Sequence, residues 1–191
     1  MPFNRFMTPD GQTVDTVLGP EMRSTGEVMG FDADFGRAFA KSQAAAYGPL
    51  PTSGRVFASM ANRDKRTMIF PIKRLADLGF EILATQGTAE VLRRNGIPTQ
   101  VVGKLHEVGE SIVDLIVAGQ IGLILNTPSG SDARGDGYEI RAAATSVGTP
   151  VITTVAEFNA SVQAIDALRE YEWDVTSLQV HDANLNAARN A

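Results

Sequence analysis

The sequence contains no cysteine, which excludes disulfides, thiolate metal sites and a thiol nucleophile. Its only histidines are His106 and His181, too few for a histidine-built metal centre. No apolar run is long enough to span a bilayer. The first residues lack the basic-then-apolar layout of a secretory signal, because Pro2, Asn4, Arg5, Thr8, Pro9 and Asp10 interrupt them. Basic charge is also short: 17 Lys and Arg face 22 Asp and Glu, and the net charge of −5 argues against a duplex nucleic-acid binder. What remains is a cytoplasmic protein that handles small molecules or protein partners, with no nucleic acid and no membrane among them.

The 191 residues suffice for one domain with a full core plus an appendage. Residues 1–50 read as a separate part, since Pro2, Pro9, Gly11, Gly19, Pro20, Gly26 and Gly30 break any long element. A helix is expected from Asp34 to Tyr47, with Phe35, Ala38, Phe39, Ser42 and Ala46 at helical spacing. The stretch Gly48 to Gly54, bearing Pro49, Pro51, Thr52 and Ser53, fits a linker, so the expected parts are 1–50 and 51–191.

Beyond Gly54 strands and helices alternate. Strands are expected at Arg55–Ser59, Phe80–Ala84, Thr99–Val102, Ile121–Leu125 and Pro150–Thr153. Between them come a helix carrying Met68, Ile72 and Leu75, a short one over Ala89–Asn95, one capped by Ser111, and one over Tyr138–Val147. Pro71 must either kink the first of these or lie in its first turn. Val155, Phe158, Val162, Ile165 and Leu168 form another helical stripe; a short strand near Val175–Leu178 and a frayed tail complete the reading. Five strands alternating with helices through short links predict an α/β fold, a three-layer α/β/α sandwich with a parallel sheet of about five strands, preceded by an N-terminal arm and linker helix.

Ligands of such sheets sit beyond the carboxyl ends of the strands. There the stretch Leu83-Ala84-Thr85-Gln86-Gly87-Thr88 ends a strand and opens a helix, offering hydroxyls and unpaired N–H groups at the positive end of a helix dipole. Other strand ends contribute Ser59 and Lys65, Lys104, Asn126 and Thr127, and Ser129 and Gly130. Two lysines, several hydroxyls and an amide along one rim suit a phosphorylated ligand with a hydrogen-bonding head group.

The run Leu18-Gly19-Pro20-Glu21-Met22-Arg23-Ser24-Thr25-Gly26-Glu27-Val28-Met29-Gly30 closely resembles the segment that ends the second synthetase half of carbamoyl-phosphate synthase large chains, and Pro2-Phe3-Asn4-Arg5-Phe6 resembles the strand before it. Ala84-Thr85-Gln86-Gly87-Thr88, the Lys104 segment and Asn126-Thr127-Pro128-Ser129-Gly130 resemble the methylglyoxal-synthase-like domain at the C-terminus of that chain. The resemblance implies a C-terminal fragment with a regulatory, non-catalytic role. It implies binding of a nucleotide monophosphate, UMP as inhibitor or IMP as activator, through Ser59, Lys65, Thr85, Gly87, Thr88, Lys104, Asn126, Thr127, Ser129 and Gly130. It implies no metal site and no cofactor in this part, the parent ligase using ATP with Mg or Mn to make carbamoyl phosphate for pyrimidine and arginine biosynthesis. Implied partners are the remainder of the large chain and, through it, a glutaminase small subunit; a homo-oligomer is a further expectation.

Two departures matter. Pro128 stands where related chains often carry Thr, removing one hydroxyl. Val151-Ile152-Thr153 replaces the Tyr-Asp-Thr of ornithine-responsive relatives, and Ile152 offers a cationic amino acid no carboxylate, so weak or absent ornithine activation is expected. Two alternatives stay open. A methylglyoxal-synthase-type lyase would need a carboxylate base, for which Glu107 and Glu110 are the nearby substitutes. A module that only packs or oligomerises would use apolar groups such as Phe3, Phe6, Leu18, Met22 and Phe35.

Overall fold

The computed structural model describes residues 28–103, 111–127, 133–171 and 174–189. The resembling segments within residues 1–27, the Lys104 segment with Glu107 and Glu110, and Pro128, Ser129 and Gly130 lie outside them.

Five parallel strands form one sheet: β1 (Arg55–Ser59), β2 (Glu81–Ala84), β3 (Gln100–Val101), β4 (Leu123–Asn126) and β5 (Val151–Ile152), in the order β3-β2-β1-β4-β5. The three inner strands are buried on both faces, and period-2 alternation splits their side chains between two cores. Val56, Ala58, Ile82, Ala84, Leu123 and Leu125 join one cluster, while Phe57, Leu83 and Ile124 join the other. Helices α2 (Ile69–Asp77), α3 (Gln86–Arg94) and α6 (Val155–Glu170) cover the first face; α4 (Ile112–Val117) and α5 (Ala133–Val147) cover the second. This is the expected three-layer α/β sandwich.

Pro71 falls in the first turn of α2, where its missing N–H would have had no helical acceptor, so the helix neither kinks nor breaks. Gly79 ends that helix at φ +90°, a conformation costly for any side chain with a Cβ. Ser111 and Asp114 close a reciprocal capping box at the start of α4.

Helix α1 (Phe35–Ala46) has Asp34 as its N-cap, but its buried positions are Gly36 and Ala40, whereas Phe35 is exposed. The helix lies against α6 so closely that a Cβ on Gly36 would sit 2.8 Å from the Gln163 carbonyl oxygen. Gly36 and Ala40 permit this close approach, and Phe39 packs beside them against the core.

Three sequence expectations are corrected. Helix α3 starts at Gln86, three residues before Ala89, because Thr85 takes the N-cap position and brings Gln86, Gly87 and Thr88 into the first turn. Helix α5 starts at Ala133 rather than Tyr138; its two glycines weaken the local signal, but Ile140, Ala143 and Ala144 anchor it in the core. No strand forms at 175–178: Val175 is exposed, Ser177 accepts a hydrogen bond from the Val180 N–H, and α7 (Leu178–Arg189) follows where fraying was expected.

Candidate functional site

The strand order fixes where a ligand can enter. From β1 the chain steps outward through β2 and β3, then returns to place β4 on the other side of β1. The connections leaving β1 and β4 therefore diverge, and a crevice opens beyond their carboxyl ends. Ser59 and Asn126, the last residues of these strands, stand in register there.

One wall of the crevice has the chemistry to hold an anion. Thr85 leaves β2 in an extended conformation and N-caps α3, yet its hydroxyl does not cap the helix. It donates instead to Thr88 Oγ1 at 3.3 Å. The N–H groups of Gln86 and Gly87, in the first turn, have no acceptor within the helix and lie at the positive end of its dipole. Lys65, in the turns after β1, donates from Nζ to the Gly87 carbonyl at 2.9 Å. Among the described residues no carboxylate pairs with Lys65, so its charge is left for a ligand. The absence of a side chain at Gly87 keeps the backbone open, for a Cβ there would come within 3.3 Å of that ammonium.

Two threonines do work that the sequence did not disclose. Thr88 and Thr127 are both buried. Thr88 Oγ1 accepts from the Met60 N–H at 3.2 Å, and Thr127 Oγ1 accepts from the Ala61 N–H at 2.9 Å. The chain leaving β1 thus hangs between β2 and β4, and the Thr127 N–H adds a bond to the Ser59 carbonyl. Each hydroxyl satisfies a loop N–H that would otherwise be stranded. The sequence suggested both threonines by type, but nothing in it reveals the acceptor needs of a neighbouring loop.

Beside Thr127, Asn126 is only 6% exposed, and among the described residues its Nδ2 has no hydrogen-bond partner. A buried, unsatisfied amide costs about 1–3 kcal/mol, and such groups mark places where something else bonds. The structure therefore brings Ser59, Lys65, Thr85, Gly87, Thr88, Asn126 and Thr127 to one edge of the sheet. Lys104, Ser129 and Gly130 lie outside the described residues.

A hollow of about 290 Å³ lies away from this edge among α1, the end of α6 and α7. Its charges already compensate each other. Lys41 Nζ is 2.7 Å from Asp32, and the Arg37 guanidinium stacks 3.4 Å over the Tyr171 ring. Burial acts to raise the Asp32 carboxyl, but hydrogen bonds from Lys41 and the Ala33 N–H, with the charges of Lys41 and Arg37, hold it below its ordinary value. Arg37 Nε makes no hydrogen bond, although Asp34 Oδ2 stands 3.2 Å away as an ion-pair partner. The sheet edge, where among the described residues a lysine has no carboxylate and an amide no acceptor, is the stronger candidate for a ligand.

Comparison with known proteins identifies the domain to which this sheet belongs. Residues 67–153, which run from α2 to β5, match the MGS-like domain family. The chain is 64% identical to the carbamoyl phosphate synthase large chain of Micrococcus luteus over 193 aligned residues, 98% of this chain. It is 65% identical to that of Paenarthrobacter aurescens over 100% of its length, and 61% identical to that of Kineococcus radiotolerans over 98%. This chain belongs to the carbamoyl phosphate synthase large-chain family and carries its MGS-like domain. It spans about 18% of the length of the curated relatives it matches. Among the described residues, the crevice of the MGS-like domain takes Lys65 from just outside the matched span and Thr85, Thr88, Asn126 and Thr127 from within it. No helix among the described residues is long and apolar enough to cross a membrane.

Proposed function

We propose that this chain is the regulatory part of a carbamoyl phosphate synthase large chain, and that its sheet edge binds a nucleotide monophosphate, UMP or IMP. The observation that carries the reading is the pairing of an uncompensated cation at a helix N-terminus with an unsatisfied amide across the crevice. Lys65 and the first N–H groups of α3 suit a monoester dianion. Asn126 Nδ2 suits an oxygen acceptor on the same ligand. Lys104, Ser129 and Gly130 complete this effector set.

Ligand at the edge alters distant catalysis only by favouring one arrangement of the domain against the rest of the large chain. That remainder, and through it a glutaminase subunit, is the partner this reading requires. The parent reaction is ATP- and glutamine-dependent carbamoyl phosphate synthesis, serving pyrimidine and arginine biosynthesis in the cytoplasm. Ornithine is not among the effectors: Ile152 is 2% exposed and joins the core, so the strand itself supplies no carboxylate at that position. An ornithine-dependent rise in the rate of the complete enzyme would count against that part.

A thermal-shift comparison tests the phosphate requirement. UMP at a hundred times its dissociation constant should stabilise the chain by about 2.7 kcal/mol, whereas uridine at equal concentration should not. Equal shifts from both would remove the phosphate cradle from the account.

A further inference from the structure

Helix α5 brings a second, unassigned donor to the crevice. A Cβ on Gly137 would lie 2.8 Å from Arg141 Nη1 and 3.3 Å from Asn126 Nδ2, so both nitrogens border one small space left by the missing side chain. Asn126 Nδ2 is buried without a partner. Among the described residues Arg141 pairs with no carboxylate, and it is half-buried, one turn beyond Gly137. Two donors, one of them cationic, border that space, and among the described residues Asn126 Nδ2 has no hydrogen-bond partner and Arg141 no carboxylate. The glycine keeps that space open, at the expense of helix propensity in the interior of α5.

We propose that Arg141 is a further effector-binding residue, which with Asn126 holds oxygen acceptors at the end of the ligand away from its phosphate. The inference rests on the nucleotide reading above. Lys65 and α3 sit at the end of β2, and Arg141 and Asn126 at the end of β4. One strand separates these positions, so they lie about 10 Å apart across the sheet. A nucleoside monophosphate bridges such a gap with its phosphate on α3 and its base or ribose oxygens on α5. The planar guanidinium can offer two parallel N–H bonds to neighbouring oxygens, a geometry lysine does not reproduce.

Calorimetric titration of this chain with UMP, alongside thermal melting, tests the assignment. Arg141→Ala should weaken UMP roughly tenfold or more, the loss of a charge-assisted bond, with an unchanged melting temperature. Gly137→Ala is the independent probe: its methyl group enters the shared space and displaces the guanidinium, so UMP should weaken while the melting temperature holds or rises. Lys65→Ala serves as the phosphate-end control. If wild type and Lys65→Ala bind UMP with different affinity but Arg141→Ala and Gly137→Ala match wild type, Arg141 is no ligand and the nucleotide reading survives. A loss of UMP binding that only tracks a fall in melting temperature in both variants also overturns the assignment. Failure of wild type to bind UMP defeats the underlying reading instead.

Discussion

Asn126 combines burial with an unmet donor, a state that folding alone does not favour. A side chain kept for stability would find a partner or be apolar. Replacing it separates the two demands: Asn126→Ala removes the stranded Nδ2, so folding stability should hold or rise, while nucleotide binding should weaken roughly tenfold. Urea denaturation and calorimetry on the same variant check both halves. A large loss of stability with unchanged binding would make Asn126 a packing residue. Thr88 and Thr127 present the opposite case, since their oxygens already hold the Met60 and Ala61 N–H groups, and their removal should cost stability before ligand is added. Residue type thus indicated which positions face the crevice. It could not tell a hydroxyl committed to the scaffold from an amide left open, because that depends on where a distant loop places its N–H groups.

The contact between α1 and α6 shows how close packing can override side-chain size. Gly36→Ala would ordinarily favour a helix by about 1 kcal/mol, but the added methyl meets the Gln163 carbonyl oxygen, a backbone atom that cannot swing aside. We predict a net loss of about 1–2 kcal/mol in chemical denaturation, the usual cost of overpacking. The same contact carries a pH effect. Burial raises the Glu157 carboxyl above its ordinary value, against the opposing hydrogen bonds from Gln43 and the Thr153 backbone. A raised carboxyl means that the folded state holds the proton more tightly, so this stabilisation is complete below the unfolded value and is lost as pH rises through the folded one. Glu157→Gln should therefore be more stable than wild type near neutral pH, with the gap closing below about pH 4. Denaturation curves across that range decide it, and a gap of constant size would show that charge is not the cause.

These elements also mark what could be read in advance. The apolar run Ile121 to Leu125 and the Ser111 cap announce β4 and α4 directly. The start of α3 was obscured because Gly87 and Thr88 have low helix propensity, and only the strand end before Thr85 forces them into a turn. The spacing announced α1 but not its buried positions, Gly36 and Ala40: periodicity weighs large apolar residues, whereas interhelical distance rewards small ones.

Across the whole molecule, the charge balance is acidic while the described crevice is lined by cations. A net charge of −5 repels free anions at long range, so a bound nucleotide has to be held by short-range groups, Lys65 and the α3 dipole at its phosphate and Arg141 at its other end. Regulation then follows from position. The crevice opens at the carboxyl edge of the sheet, while α1, the first helix of the described chain, packs on α6 of the outer layer. A ligand-induced preference can reach the rest of a large chain through that layer only if the two arrangements differ in nucleotide affinity. Titrating this chain with UMP and IMP by calorimetry, in wild type and in Lys65→Ala, is the most direct test. The account predicts saturable one-site binding that Lys65→Ala abolishes or weakens roughly tenfold. No saturable heat with either nucleotide, or binding that ignores the loss of Lys65, would contradict it.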